Sequence, residues 1–140
     1  MAISGLVITY NEEKNIGKCI DALFEVCDEV IIVDSLSTDN TVKIAEEKGA
    51  KVISQKFLGD GPQRTHGLPF CKNDWILNLD ADEFLDKDAK EFILKGKYLE
   101  GNYDAFSFRV KNFLADELID FSGWYPDHKV RFFNKKTAKP

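Results

Sequence analysis

Two aspartates near the middle of the chain have the residue type and spacing of a site for a divalent cation. Asp80 and Asp82 are separated by one residue and follow the apolar run 75–79. On an extended backbone, carboxylates so spaced lie on one side of the chain with their Cα atoms about 6.5–7 Å apart. Such a pair can hold a hard cation while a substrate diphosphate supplies further oxygen ligands. An acid-rich, solvated turn that caps the next helix is the structural alternative, because short acidic spacings are common.

Two further polar clusters, 9–13 and 34–39, follow apolar runs earlier in the chain. In an open parallel sheet, ligands bind beyond the C-terminal ends of the strands, so we expect all three clusters to lie at one edge of a sheet. An acid placed like Asp34 commonly binds the ribose or base of a nucleotide. The alternative role for an acid in this cluster is to favour the start of the next helix through its charge, which suits Asp39 better.

The first cluster argues against two common nucleotide-binding folds. Residues 9–13 contain no glycine, whereas a dinucleotide-binding turn needs several glycines directly after the first strand. Gly59 and Gly61 form the only Gly-x-Gly of the sequence, and they follow a later strand without a third glycine. The sequence therefore disfavours NAD binding and the usual methyltransferase layout, and it contains no Walker-type phosphate loop.

Alternating strands and helices must position these clusters. Apolar, β-branched runs predict strands, and apolar residues at helical spacing predict helices. The second helix is expected to be capped at its start by Ser37 or Thr38 and to end at Gly49. This alternation implies a parallel sheet with right-handed crossovers, hence the α/β class. The predicted strands are 3–10, 30–33, 51–54, 75–79, one half-exposed strand through Phe106, Phe108 and Val110, and 129–134; the predicted helices are 16–27, about 38–48, one carrying Arg64 and His66, and about 87–94.

Composition limits the class of protein. The chain has 140 residues, 44% hydrophobic and 31% charged, as expected for one globular domain. Its formal net charge of −5 argues against a nucleic-acid partner. No apolar run reaches the roughly 18–20 residues of a membrane span, and the N-terminus lacks the features of a signal peptide, so we expect a cytoplasmic location. Cys19, Cys27 and Cys71 lack metal-site spacing and are expected to be reduced, buried thiols.

Three motifs, taken together, resemble glycosyltransferase family 2, whose members are inverting enzymes with the GT-A fold. These motifs are Thr9–Glu13, Val33–Thr41 and Leu79–Glu83, in this order and at suitable separations. The resemblance covers essentially the whole chain. It implies that residues 1–140 form a single Rossmann-like GT-A domain, with a mostly parallel central sheet flanked by helices. Since family members usually continue well past this length, we expect the C-terminal part of the enzyme to be missing.

The resemblance also implies a nucleotide-sugar site. Thr9 and Tyr10 would line the nucleobase and uridine pocket, and Asp34 would hydrogen-bond the base. Asp80 and Asp82 match the family's DXD motif, with Asp82 as the direct ligand of a Mn²⁺ or Mg²⁺ ion and Asp80 nearer the ribose and the metal. The other donor-binding residues implied are Asn11, Glu12, Arg64 and Ala81.

The resemblance bears differently on the loop after Asp34 and on the segment around Arg64. Many members have a second acid and a glycine after the position of Asp34, where this chain has Ser35 and Leu36, so the family's contacts at that loop do not transfer to these residues. The segment that contains Arg64 resembles one that faces the donor. Arg64 would then contact the diphosphate or the sugar; the alternative is a solvated helix arginine.

The cluster 123–131 resembles a subset of the family that adds sugars to lipopolysaccharide core. Asp127 occupies the region where members place the catalytic base, which deprotonates the acceptor hydroxyl as it attacks the anomeric carbon. General-base assistance is typically worth about 10²–10⁴ in rate. The alternatives are an ion pair of Asp127 with Lys129 or Arg131, or Asp116 or Glu117 as the base.

These expectations describe a transferase that moves a sugar from a nucleoside diphosphate, taken to be UDP, to a hydroxyl of a cell-envelope glycan or lipopolysaccharide core. The expected partners are the donor and a glycan or lipid-linked acceptor, with peripheral association at the inner face of the membrane. Two alternatives stay open. A nucleotidyltransferase would normally show a phosphate loop with glycine and lysine after its first strand, and a truncated domain would bind nucleotide sugar without catalysis.

Overall fold

The computed structural model describes residues 2–108, 110–112 and 130–137, which form a mixed α/β fold. Its first part alternates strands and helices as the sequence predicts. The elements are β1 (Ile3–Thr9), α1 (Ile16–Phe24), β2 (Glu29–Asp34), α2 (Thr41–Glu47), β3 (Lys51–Ser54), α3 (Asp60–Gly67), β4 (Trp75–Asn78), β5 (Glu83–Leu85), α4 (Lys87–Leu94), β6 (Ala105–Ser107), β7 (Val110–Asn112) and β8 (Val130–Asn134), with short 3₁₀ turns at Leu68–Phe70 and Lys97–Leu99.

The central sheet has six strands in the order β3-β2-β1-β4-β8-β6. The first four are parallel, whereas β8 lies antiparallel between β4 and β6. A separate antiparallel pair is formed by β5 and β7. The expected class, a mostly parallel α/β sheet flanked by helices, is confirmed. Because β1, β2, β3 and β4 run in one direction, their C-terminal ends share one edge, where the polar clusters lie.

Burial explains why the chain adopts these elements. Both faces of β1 and β2 are covered, so their apolar runs are nearly continuous, as expected for parallel strands between helix layers. Helix α1 buries Ile16, Cys19, Ile20 and Leu23, which repeat at helical spacing. On the antiparallel side, Trp75 packs against the ring of Phe132 with centroids 4.9 Å apart. These contacts anchor the strands whose ends carry the site.

The three cysteines are buried and unbridged, as predicted. Burial raises the pKa of the Cys71 thiol to about 11, and it raises the pKa values of the Cys19 and Cys27 thiols well above their ordinary range. These side chains are therefore unreactive packing groups at neutral pH. In the described segments, no helix has the length and apolar character needed to cross a membrane.

Helix α2 ends as predicted but begins differently. Gly49 has φ 91°, and the amides of Gly49 and Ala50 bond to the carbonyls of Glu46 and Ala45, which is a Schellman C-terminus. The expected cap at Ser37 or Thr38 is wrong, because the helix begins at Thr41. The Ser37 hydroxyl instead donates to Asp34.

Two other expectations are wrong in detail. The alternation through Phe106, Phe108 and Val110 predicts one strand, but the structure has two, β6 and β7, in different sheets. Phe108 between them is partly buried and packs against the core. Strand β5 was not predicted, because three residues are too few to show an alternating pattern. Helix α1 also ends three residues earlier than expected, at Phe24.

Candidate functional site

Asp34, the last residue of β2, connects the loops that follow β1 and β2 at the C-terminal edge of the parallel strands. Its side chain is only 1% exposed and accepts three hydrogen bonds. The Thr9 hydroxyl donates to Oδ1 at 2.7 Å, and Ser37 donates its hydroxyl to Oδ1 at 2.6 Å and its amide to Oδ2 at 2.8 Å. The ends of β1 and β2 are thus held together through one buried carboxylate.

A second layer of bonds continues outward from Asp34. The amide of Asn11 donates to the Ser37 hydroxyl at 2.8 Å, and its side-chain oxygen accepts the Thr38 amide at 2.8 Å. The Glu12 amide donates to the Thr41 hydroxyl at 2.8 Å. These bonds cross from one loop to the other, so the segments 11–13 and 37–41 form one rigid surface.

Tyr10 and Leu36 project from this surface into solvent, with 57% and 56% of their area exposed. Leu36 has φ 62°, in the left-handed region that favours glycine. The departure noted in the sequence, Leu36 where many family members have glycine, therefore falls at a backbone position with a physical preference for glycine. Exposed apolar side chains beside buried polar groups are suited to contact a planar ring.

The segment Asp80–Glu83 follows β4 and forms a tight turn. The Glu83 amide donates to the Asp80 carbonyl at 3.0 Å, while the Asp80 amide donates to Oε1 of the Glu83 side chain at 2.8 Å. The extended backbone expected between Asp80 and Asp82 is wrong, because the strand ends at Asn78 and the chain reverses into β5. The geometry of the two carboxylates is thus set by a turn.

Each aspartate of this turn has a partner from another element. Arg64 of α3 donates from Nη2 to Asp80 Oδ1 at 2.9 Å. The Nε of Arg64 lies 2.8 Å from the Asn78 amide oxygen, in the amide orientation that also bonds the Leu6 carbonyl. Asn112 of β7 donates to Asp82 Oδ2 at 2.6 Å. The Arg64 guanidinium is therefore held against the turn, rather than being a solvated helix arginine.

A buried ion pair lies behind the same turn. Arg131 of β8 donates to both carboxylate oxygens of Glu83, at 2.8 and 3.0 Å, and their side chains are 2% and 11% exposed. Neither residue was predicted to contribute to the site. The sequence signal for Glu83 was only its place beside the aspartates, and Arg131 appeared only as an alternative partner for Asp127.

The acids of this edge influence one another. Burial raises the pKa of Glu12 above its ordinary value, and the carboxylates of Asp82, Asp39 and Asp80 raise it further, against a lowering hydrogen bond from Asn15. The effect requires these groups to be close in space, although they come from loops after three different strands. The three polar clusters therefore converge on one edge, as the sequence predicts.

Two carboxylate oxygens at this edge are available as ligands of the type that a hard divalent cation prefers. Asp80 Oδ2 and Asp82 Oδ1 accept no hydrogen bond from any described residue, so each carboxylate offers one oxygen. In the described part of the chain, no group of three or more His, Cys, Asp or Glu side chains is placed so that it could hold a metal ion by itself. A cation held by these two aspartates would therefore take its remaining ligands from water and a bound diphosphate.

The predicted catalytic base lies in the part of the chain that the structure does not describe. Asp127 falls outside the described residues, as do the alternatives Asp116 and Glu117. Ala81, within the acidic turn, is buried, with 4% of its area exposed.

Comparison with known proteins gives a consistent result. The sequence profile of Glycosyl transferase family 2 matches residues 4–137. An uncharacterized glycosyltransferase of Rickettsia felis is 50% identical over 139 residues, which are 97% of this chain and 49% of that protein. The lipopolysaccharide core biosynthesis glycosyltransferase LpsC of Rhizobium meliloti is 37% identical over 98 residues, covering 66% of this chain and 36% of that protein. The chain spans at most about half the length of these relatives.

A solved structure shares the fold. Glucosyl-3-phosphoglycerate synthase of Mycobacterium tuberculosis, in complex with Mn²⁺, UDP and glucosyl-3-phosphoglycerate, superposes with a TM-score of 0.69 at 23% identity, covering 96% of this chain and 57% of that one. A second complex of the same protein, with Mn²⁺, UDP-glucose and phosphoglyceric acid, gives a TM-score of 0.53 at 29% identity, covering 59% of this chain and 34% of that one.

Proposed function

Because the chain belongs to glycosyl transferase family 2, we propose that the edge formed by the loops after β1, β2 and β4 binds a nucleoside-diphosphate sugar. The observation that carries this proposal is the convergence at one edge of two interlocked polar loops and an acidic turn. We propose UDP as the nucleoside diphosphate, in line with the UDP complexes of the Mycobacterium tuberculosis synthase. The alternative of a non-catalytic binding domain shares this donor site.

The nucleoside would lie on the interlocked loops of β1 and β2. Thr9 and Tyr10 would line the base pocket, with the exposed Tyr10 ring available for stacking. Asp34, proposed as a donor-site residue, would keep the base pocket rigid through the three internal hydrogen bonds of its buried carboxylate. Asn11 and Glu12 would follow along the donor, where their cross-loop bonds fix the backbone.

The diphosphate would lie beside Arg64 and the acidic turn. Asp80 and Asp82 would hold Mn²⁺ or Mg²⁺, with Asp82 as the direct ligand and the backbone of Ala81 against the sugar-nucleotide. Such a cation stabilises the negative charge that develops on a leaving diphosphate, typically by several kcal/mol. The Arg64 guanidinium, already 2.9 Å from Asp80, adds a positive charge that faces the same group.

Transfer would proceed as a single displacement. Asp127 would accept the proton of the acceptor hydroxyl, whose oxygen bonds to the anomeric carbon as the bond to the diphosphate oxygen breaks. The configuration at the anomeric carbon would therefore invert. We propose a cell-envelope glycan or lipopolysaccharide core as the acceptor, supported by the similarity to LpsC. The protein would then act in the cytoplasm, with peripheral association at the inner face of the membrane.

Calorimetric titration with UDP, GDP and ADP, in Mn²⁺ and then in excess EDTA, tests the donor site. We expect one diphosphate, UDP, to bind tightly only with Mn²⁺. In Asp82→Ala, the UDP affinity measured with Mn²⁺ should fall to the wild-type value in EDTA, because a metal ligand is lost while the fold is kept.

Asp88→Ala, at an exposed acid in the first turn of α4, is the matched control and should bind like the wild type. An Asp82→Ala variant that keeps Mn²⁺-dependent UDP binding would refute the metal assignment. Absence of binding for all three nucleotides in the wild type would refute the donor site in this chain.

A further inference from the structure

Resting on the proposed function, we infer that Glu83, oriented by Arg131, is a positioning residue for the metal-binding turn. Neither side chain would contact the metal or the donor. Their proposed effect is to fix where Asp80 and Asp82 present their carboxylates.

The first support is the double use of one carboxylate oxygen. Glu83 Oε1 accepts the Asp80 amide at 2.8 Å and Arg131 Nη1 at 2.8 Å. Arg131 Nη2 meanwhile holds Oε2 at 3.0 Å, so the carboxylate plane is fixed by a bidentate contact. The Arg131 guanidinium therefore fixes the Glu83 carboxylate, which in turn fixes the backbone amide of Asp80, a proposed metal ligand.

The second support is the way in which the turn is closed. One hydrogen bond joins the Glu83 amide to the Asp80 carbonyl, and the other joins the Asp80 amide to the Glu83 side chain. Both ends of the four-residue turn are therefore fixed to each other. The backbone of Asp80 cannot rotate without breaking a bond to a buried charged group, which is costly.

The third support is where Arg131 lies. Strand β8 pairs directly with β4, the strand that leads into the turn, with Phe132 opposite Leu77. The guanidinium therefore anchors the turn to the central sheet. On its other side, Asp82 is held by Asn112 of β7, and Asn112 is the register partner of Glu83 in the β5–β7 pair. The turn is fixed from both flanks.

A role in stability alone is a weaker account of this pair. Buried ion pairs often contribute no more to stability than apolar residues of similar volume, because both charges lose their hydration. What an apolar pair cannot supply is an acceptor for the Asp80 amide. Residues that orient metal ligands in this way typically change metal affinity about 10–100-fold when they are mutated.

The test compares the double variant Glu83→Leu/Arg131→Met, which removes both charges and the acceptor, with the matched control Glu83→Gln/Arg131→Met, which removes the same charges but keeps an amide oxygen that can accept the Asp80 amide. Mn²⁺ affinity at saturating UDP is measured by electron paramagnetic resonance, UDP affinity in EDTA by calorimetry, and folding by circular dichroism. We expect the double variant to lose about 10–100-fold in Mn²⁺ affinity while its UDP affinity in EDTA is unchanged. The matched control should lose less Mn²⁺ affinity than the double variant, because it keeps an acceptor for the Asp80 amide.

Each outcome decides the inference. A folded double variant with wild-type Mn²⁺ affinity overturns it, and so does an equal loss of both affinities, which indicates a purely structural role. If the double variant does not fold, Glu83→Asp replaces it, since the shorter side chain keeps the charge but withdraws the acceptor from the Asp80 amide. A wild-type chain that binds no nucleotide with Mn²⁺ would instead refute the proposed function, and this inference with it.

Discussion

Leu36 holds a left-handed backbone conformation, with φ 62°, on the loop that carries Asp34 and Ser37. Its side chain is mostly exposed, so little burial offsets the conformational cost. For a residue with a Cβ atom that cost is about 1–2 kcal/mol. The surrounding hydrogen bonds of Asn11 and Ser37 must maintain this conformation, which is common for loops that are shaped for a ligand.

Leu36→Gly is therefore expected to stabilise the protein. Glycine removes the left-handed strain but loses about 0.5–1 kcal/mol through its greater freedom in the unfolded chain. The free energy of unfolding in urea should rise by up to about 1 kcal/mol. Leu36→Ala is the matched control, because it removes the same side chain and retains the strain. If Leu36→Gly were instead less stable than Leu36→Ala by the full entropic loss of about 0.5–1 kcal/mol, φ at this position would carry no cost.

At the scale of single residues, part of the proposed site could be predicted from the sequence. Thr9, Asp34 and Asp80 could be placed because each follows an apolar run, and strand ends in a parallel sheet share an edge. The Glu83–Arg131 pair could not, since its members lie 48 positions apart and no local pattern shows which charges become buried together. The left-handed backbone of Leu36 was likewise invisible, because leucine is an unusual residue for that conformation.

At the scale of elements, the long strands and helices followed from periodicity, and the short strands did not. Strands β5, β6 and β7 have three residues each, too few for an alternating pattern to be distinguished from chance. Their pairing depends on long-range contacts such as that of Asn112 with Asp82. From the sequence, a turn at Asp80 is only the alternative to an extended backbone, because the turn is closed by the Glu83 side chain, which Arg131 holds from β8.

At the scale of elements, Gly67 is the position where helix α3 packs closely against the central sheet. It ends α3 where the helix meets the sheet, and a Cβ atom added there would lie 2.6 Å from Val33 Cγ2 and 2.7 Å from Leu6 Cδ1. Gly67→Ala should therefore lower the free energy of unfolding by about 1–3 kcal/mol, measured by urea denaturation. The added methyl group would push α3, and Arg64 with it, away from β1 and β2.

Gly61→Ala in the same helix is the control for the loss of glycine itself, because an added Cβ atom there meets nothing within 4 Å. It should leave stability nearly unchanged. Equal losses in both variants would contradict the packing account, because the reduced freedom of the unfolded chain by itself makes an unstrained Gly→Ala replacement slightly stabilising.

At the scale of the whole molecule, the net charge of −5 is concentrated in part at the edge where the proposed donor binds. Burial and the carboxylates of Asp82, Asp39 and Asp80 raise the pKa of Glu12. A raised acid pKa means that the folded state binds the proton more tightly than the unfolded state. Glu12 therefore costs no stability when it is protonated in both states, and its cost appears as pH rises through its unfolded value near 4.5 and above.

Glu12→Gln should accordingly raise the free energy of unfolding at pH 7 and leave it nearly unchanged at acidic pH. Urea denaturation at both pH values, without divalent cations, measures the difference. Glu46→Gln, at an exposed acid of α2, is the control and should show no such pH dependence. A Glu12→Gln effect of equal size at both pH values would contradict the electrostatic account, since an uncharged contact would then be responsible.

The position of β8 in the sheet has a consequence for synthesis on the ribosome. The parallel strands β1 to β4 are complete once Asn78 has emerged, but the neighbour of β4 in the sheet begins only at Val130. Strand β6 emerges earlier, yet within the described residues it pairs with β8 alone. At about 5–20 residues per second, the edge of β4 stays unpaired for roughly 3–10 s. Nascent chains therefore pass through a stage with an open strand edge, during which a chaperone can protect them from pairing with one another.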